Sequence, residues 1–115
     1  MALKYRKISK SREIQEIRRS GRRARGKYLV VWRLRATNGE AGPGAGVVSA
    51  KGFRGAVERN HARRRVRGCL QDVNEELLPG YSYLLQAGKA STGVSYQELV
   101  KETGRLINRL NSGDS

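Results

Sequence analysis

The side chains best suited to chemistry stand between Lys51 and Arg67. Seven of the 17 residues there are basic: Lys51, Arg54, Arg59, Arg63, Arg64, Arg65 and Arg67. A glycine-containing turn, Gly52-Phe53-Arg54-Gly55, precedes a helical pattern that begins at Ala56. Backbone N–H groups at such a helix start attract phosphate, and clustered arginines add bidentate contacts to it. The chemistry this spacing favours is therefore binding of a polyanion. Like charges packed this densely repel, so a partner that neutralises them is the economical reading, over a merely solvated basic face or a localisation tract. Inventory for catalysis by protein groups is thin. His61 is the sole histidine and reads as a solvated helix residue or a phosphate contact. Cys69 is the sole cysteine; it falls on an apolar stripe and reads as a small core residue. Asp72, Glu75 and Glu76 form an acidic cluster, for which a solvated face suffices. No G-x-x-x-x-G-K-[ST] phosphate loop occurs, and no metal site of protein groups is expected.

Charge over the whole chain agrees. Of 115 residues, 24 are Lys or Arg and 10 are Asp or Glu, a net of +14. The excess is uneven: residues 1–67 carry 20 basic and 4 acidic side chains, residues 68–115 carry 4 and 6. A field so one-sided points to nucleic acid. An anionic membrane would call for a continuous apolar face opposite the charges on one helix, and the basic half has only one Trp and one Phe, far apart. No apolar run approaches the roughly 20 residues of a membrane span. No apolar segment follows the basic N-terminus, so a secretory signal is not expected. A single cysteine suits a reducing, cytoplasmic compartment.

The elements that must position these residues follow from periodicity. The length suits one domain, residues 1–115, with residues 1–10 as a flexible basic arm and 111–115 as a frayed tail. Ser11 is placed to cap a short helix carrying Ile14 and Ile17 on one face, and Gly21 to end it. Residues 28–34 read as a strand, with Tyr28, Val30, Trp32 and Leu34 on one side and Leu29, Val31 and Arg33 on the other. Tyr28 and Trp32 are suited to stacking unpaired bases, and equally to a core; the alternation leaves both open. The Asn38-Gly39 and Gly42-Pro43-Gly44 stretch is turn-forming, which makes residues 45–50 the second arm of a hairpin. Room remains for a short extra strand near residues 22–25.

Residues 56–78 carry a second helix with Ala62, Val66, Cys69, Leu70, Val73 and Leu77 as its apolar stripe. At about 100° per residue, Asn60, Arg63, Arg64 and Arg67 form a continuous arc beside that stripe. Arg59 lies in line with the stripe one turn ahead, so it projects past the core's edge. Base-first, acid-last order opposes the helix dipole, a further sign that the basic end holds a ligand. Residues 81–87 are a third strand and 88–93 a loop. Ser95-Tyr96-Gln97-Glu98 is a capping box that opens a last helix with Leu99, Thr103, Leu106, Ile107 and Leu110 inward. The class is α+β, a small α/β sandwich of order α-β-β-α-β-α.

The string Ala56-Val57-Glu58-Arg59-Asn60-His61-Ala62-Arg63-Arg64-Arg65-Val66-Arg67 resembles the A-V-x-R-N-x-x-[KR]-R-x-x-R signature of the bacterial ribonuclease P protein component. The Val47-Val48-Ser49 segment before Lys51, and Gly80-Tyr81-Ser82-Tyr83 leading the third strand, extend the resemblance over roughly residues 6–110. The family implies a left-handed βαβ crossover, against the usual right-handed preference. Its partners are the catalytic ribonuclease P RNA and precursor tRNA, cut to release the 5′ leader, with no membrane and no DNA. Cleavage is then hydrolysis assisted by magnesium held mainly by the RNA, with no catalytic protein residue. By the resemblance, Lys51, Arg54, Arg59, Asn60, Arg63, Arg64 and Arg67 contact RNA, while Ile14, Arg18, Tyr28, Trp32 and Lys89 line a cleft for the leader. Four departures stand out. Ile14 and Arg18 replace first-helix aromatics. Gly52 stands at a lysine position, and Arg54 then Gly55 where the family glycine falls. Ser82 replaces an acidic residue. Gly88 replaces an arginine for which Lys89 is the nearest substitute. The rival reading is a general or ribosome-associated RNA-binding protein, against which the signature spacing speaks.

Overall fold

The computed structural model describes residues 5–36 and 42–112. Its elements are β1 (Arg6–Lys7), α1 (Ser11–Ser20), β2 (Arg22–Arg25), β3 (Leu29–Arg35), β4 (Gly44–Ser49), α2 (Ala56–Asp72), β5 (Tyr81–Ala87) and α3 (Tyr96–Ser112). Short 3₁₀ turns, Asn74–Glu76 and Lys89–Thr92, follow α2 and β5. The class is the α+β expected; β2 is the short extra strand for which residues 22–25 left room, and β1 is added to it. The strands form one sheet in the order β1-β4-β5-β3-β2.

The hairpin expected between β3 and β4 does not form. Both strands pair with β5, which lies between them, antiparallel to β3 and parallel to β4. The reason is burial: Tyr83, Leu84 and Leu85 are all fully inaccessible, so β5 takes the centre of the sheet. Turn-forming residues show that the chain reverses, not which strand it then meets. β4, α2 and β5 form a crossover unit between adjacent parallel strands. The turn tip, 37–41, lies outside the described residues.

Helices pack on both faces of the sheet, α1 covering only part of its own. On one, Leu29, Val31, Tyr83, Leu85 and Ala87 meet Ala62, Val66, Cys69 and Leu70 of α2 and Leu99, Leu106, Ile107 and Leu110 of α3. On the other, Trp32 and Leu84 pack with Ile8 and with Ile17 of α1. Burial on the α2 side pushes the Cys69 thiol up to about 11.

Helix ends differ from expectation in instructive ways. Lys10, not Ser11, is the N-cap of α1, and no side chain caps it. Gly21 does end α1, but with extended backbone (φ −78) rather than a left-handed turn. A Cβ there would stand 2.6 Å from the Ile17 carbonyl oxygen and 3.0 Å from that of Arg33, so close approach is what requires the glycine. α2 stops at Asp72, before the 78 expected, although Leu77 is still buried beyond it. For α3 the forward half of the capping box forms, Glu98 N–H donating to Ser95 Oγ at 3.2 Å.

Neither terminal expectation holds over the described residues. The segment 6–8 is no free arm. β1 pairs in parallel with β4, Ile8 N–H donates to the Ala45 carbonyl at 2.9 Å, and the Ile8 side chain is buried. At the other end Asn111 does not fray. Its Oδ1 accepts from Tyr83 Oη at 2.8 Å and from Arg33 Nη1 at 3.3 Å, and its Nδ2 donates to the Glu76 carbonyl at 2.7 Å. These bonds help to hold Arg33, only 3% exposed, with its guanidinium 4.1 Å from the Tyr81 ring centroid.

Candidate nucleic-acid interface

α2 presents the signature. Gly55 precedes it, no side chain caps its first turn, and its opening N–H groups are thus left for solvent or a ligand. Gly52 in the preceding turn has φ +100, a conformation glycine adopts without strain, which gives a backbone reason for its departure from lysine. Lys51, Arg54, Arg59, Asn60, Arg64 and Arg67 are exposed and Arg63 is half-buried. Among the described residues no carboxylate ion-pairs with Lys51, Arg54, Arg59, Arg63, Arg64 or Arg67. Arg63 donates to Asn60 Oδ1, joining two members of the arc. Val57, beside them, is 85% exposed.

Arg65 does something else. Its Nη1 donates to the Ser91 carbonyl at 2.9 Å and its Nη2 to that of Val94 at 2.6 Å, fastening α2 to the 3₁₀ turn and the loop before α3. Two adjacent arginines, 64 and 65, therefore face different tasks, as the arc computed from helical periodicity implies.

A groove of about 430 Å³ runs beside this helix. Arg63, Arg67 and Gln71 form one wall, Ile14 of α1 stands opposite, and Ala45 to Val48 of β4 lie between them with Tyr5 and Lys7. β1 covers only the first part of β4, which is why the groove opens along the later residues of that strand. Burial raises the Tyr5 phenol above its ordinary value although the Arg67 charge opposes the shift.

Val48, in the lining of the groove, also belongs to the sheet face beside α1. Register aligns Val48, Gln86, Val30 and Arg25 across four strands. Val48, Gln86 and Val30 are half-buried, whereas Leu84 and Trp32 of the next row lie under α1. Arg18 reaches from α1 across this open row, donating to Gln86 Oε1 at 2.8 Å with its guanidinium 5.8 Å from the Trp32 ring centroid.

The five residues expected in a leader cleft thus separate. Ile14, Arg18 and Trp32 share one side of the sheet. Trp32 is only 8% exposed, so its ring is core beneath α1 and not an open stacking platform. Tyr28 is corrected: it precedes the strand proper, packs against the α2–α3 core and lines a different cavity beside α3. Strand alternation does not govern a residue outside the strand. Lys89 is exposed in the turn after β5 and lines none of these grooves. At Gly88, one of the departures noted from the sequence, a Cβ would stand 2.8 Å from the Tyr28 carbonyl oxygen. Sequence reasoning missed Tyr5, Lys7, Val30, Val48, Gln71 and Gln86. The alternation in β3 and β4 held a signal for the valines; the rest depend on the sheet order.

Among the described residues no group of three or more His, Cys, Asp or Glu could hold a metal ion, and no helix is long and apolar enough to cross a membrane.

Comparison with known proteins identifies what this arrangement is similar to. A family model described as Ribonuclease P matches residues 3–111. The ribonuclease P protein component of Acidothermus cellulolyticus is 33% identical over 104 residues, covering 90% of this chain and 87% of the relative. That of Geobacillus thermodenitrificans is 33% identical over 109 residues, covering 95% and 88%. Among solved structures, the RNase P protein of Thermotoga maritima superposes with a TM-score of 0.76 at 20% identity, covering 90% of this chain and 96% of that one. The Staphylococcus aureus RNase P protein gives 0.73 at 17%, covering 94% of each. At such identities the structures speak for the fold.

Proposed function

Since the chain belongs to the ribonuclease P protein family, we propose that it is the protein subunit of a ribonuclease P holoenzyme, binding the catalytic RNA and the 5′ leader of precursor tRNA. The observation that carries this reading is the row of arginines on α2 that have no carboxylate partner among the described residues and flank a groove reaching Val48 at the partly open sheet face. Arg59, Arg64 and Arg67, with Lys51 and Arg54 at the turn, neutralise phosphates of the RNA, while Asn60 and Arg63 act as a hydrogen-bonded pair. The leader lies along Ile14, Val48, Val30 and Gln86, with Arg18 set against its backbone. Half-buried valines offer apolar contact to bases in place of the stacking an exposed aromatic would give. Magnesium, held mainly by the RNA, supplies the hydrolytic chemistry when bound. The protein's part is to reduce phosphate repulsion and to align the leader.

The test is cleavage of precursor tRNA by a bacterial ribonuclease P RNA at low magnesium, with and without the full chain. Restored cleavage at the correct 5′ end, with no activity of the chain alone, is the expected result. Binding without any effect on cleavage, with a matched RNA as well, would leave a general RNA-binding protein in place of this reading.

A further inference from the structure

A second cavity, of about 550 Å³, lies at the opposite edge of the sheet, between the β2–β3 turn and α3. Arg25, Gly26, Lys27 and Tyr28 form one side, and Glu98, Lys101, Glu102 and Arg105 the other. β1 and β2 are the two edge strands, about 19 Å apart over four spacings of about 4.8 Å; the α2 groove opens beside β1 and β4, and this cavity beside the end of β2.

Its charge is less balanced than the residue types suggest. Glu102 is only 5% exposed and both its oxygens are occupied. Oε1 accepts the Lys27 N–H at 2.8 Å and Arg105 Nη2 at 3.3 Å. Oε2 accepts the N–H groups of Tyr28 at 2.6 Å and Leu29 at 3.2 Å. That carboxylate is committed to holding the turn. Among the described residues Arg25, Lys27 and Lys101 have no carboxylate within ion-pairing distance, Glu98 included. Lys101 and Arg105, one helical turn apart, share a face of α3. The result is a concave site with cations on both walls and a half-buried tyrosine in its lining.

We infer that this cavity is a second RNA-binding site, taking a nucleotide of a single-stranded segment. Lys27, Lys101 and Arg105 meet its phosphates, and Tyr28 supplies an aromatic surface for the base. A cationic cavity without the ring would suit any anion; the ring beside the cations is what selects a nucleotide. The site goes beyond the function proposed above and does not depend on it, since any RNA with an accessible strand can fill it. With two separated sites the chain can hold two RNA segments at once.

The experiment is amide chemical-shift mapping of the full chain titrated with a decauridylate, which has no tRNA sequence. Residues 25–29 and 98–105 are expected to shift and saturate, and to do so still in the double variant Arg64→Ala/Arg67→Ala. In Lys27→Ala/Lys101→Ala, which alters only exposed side chains, those shifts vanish while those of residues 56–67 persist. The amide spectrum itself reports whether each variant is folded. No shift around the cavity at saturation overturns the inference, as does its loss in the α2 variant, which would mean one continuous site. Shifts there with phosphatidylglycerol vesicles but not with RNA would overturn it in favour of a membrane surface. Salt titrations with ribonuclease P RNA alone and with precursor tRNA alone identify the source. The slope of log K against log salt should fall by about 1.4 in the lysine variant, about 0.7 for each phosphate no longer neutralised, for the RNA that fills the site. An unchanged slope for both refutes the inference, whatever the cleavage assay returns.

Discussion

Replacing Glu102 by alanine should be among the most damaging single changes in α3. The carboxylate accepts three consecutive backbone N–H groups, from Lys27, Tyr28 and Leu29, and so fixes the turn that joins β2 to β3. A hydrogen bond to a charged group contributes about 1.5–3 kcal/mol, and an amide left buried without a partner costs a similar amount. Only the Leu29 amide belongs to a buried residue; those of Lys27 and Tyr28 lie in a turn that water can reach. Counting the full term for Leu29 and about 1 kcal/mol for each of the others gives about 4 kcal/mol. The half-exposed ion pair with Arg105 adds almost nothing. Against a domain stability of about 5–15 kcal/mol this is a large share. At about 4 °C per kcal/mol, interpolated for this chain length, the melting temperature should fall by about 16 °C. Urea unfolding followed by circular dichroism reads the change directly. Glu102→Gln keeps one acceptor oxygen and should lose about half as much. A loss below about 1 kcal/mol for Glu102→Ala, with an unchanged urea slope, would refute the claim that this carboxylate organises the turn.

Three further outcomes are expected. Arg64→Ala should leave the unfolding midpoint within about 0.5 kcal/mol while lowering the salt slope of RNA binding by about 0.7–0.9, whereas Arg65→Ala should cost about 1.5–3 kcal/mol by removing the bonds to the Ser91 and Val94 carbonyls; paired urea and RNA titrations compare them. Trp32→Ala should destabilise by about 3–5 kcal/mol, as for a large core deletion, and a folded variant that loses only RNA affinity would restore the stacking role instead. The Cys69 thiol is protonated in the fold up to about pH 11, above the ordinary thiol value, so its contribution is intact below about pH 9 and declines as pH rises through 11. In Cys69→Ala that part of the alkaline decline should disappear from unfolding curves measured between pH 8 and 11.

How much of this was legible in the sequence depends on the range of the interaction. β5, the last helix's inward face and the α2 stripe as far as Leu70 follow from local periodicity, because each side chain's direction is set by its own backbone. The α2 arc was legible for the same reason, with Arg64 in it and Arg65 outside; the bonds of Arg65 to the Ser91 and Val94 carbonyls were not. The termini were misread because β1 has only two residues and Asn111 is one polar side chain among several; neither carries a pattern, and both are ordered by distant partners.

Charge, helix phase and the A-V-x-R-N-x-x-R-R-x-x-R spacing are properties of adjacent residues, so sequence by itself determined the chemistry on offer, an arginine-rich helix of a type suited to phosphate, and the family to which it belongs. Strand order is a property of the packed whole. It alone decided that β5 separates β3 from β4, that Trp32 is roofed by α1 while Val30 and Val48 stay open, and that Tyr28 turns to the α3 side. Two-residue alternation says which side chains share a face; only the competition of whole elements for burial says what covers that face, and therefore what remains for RNA to touch.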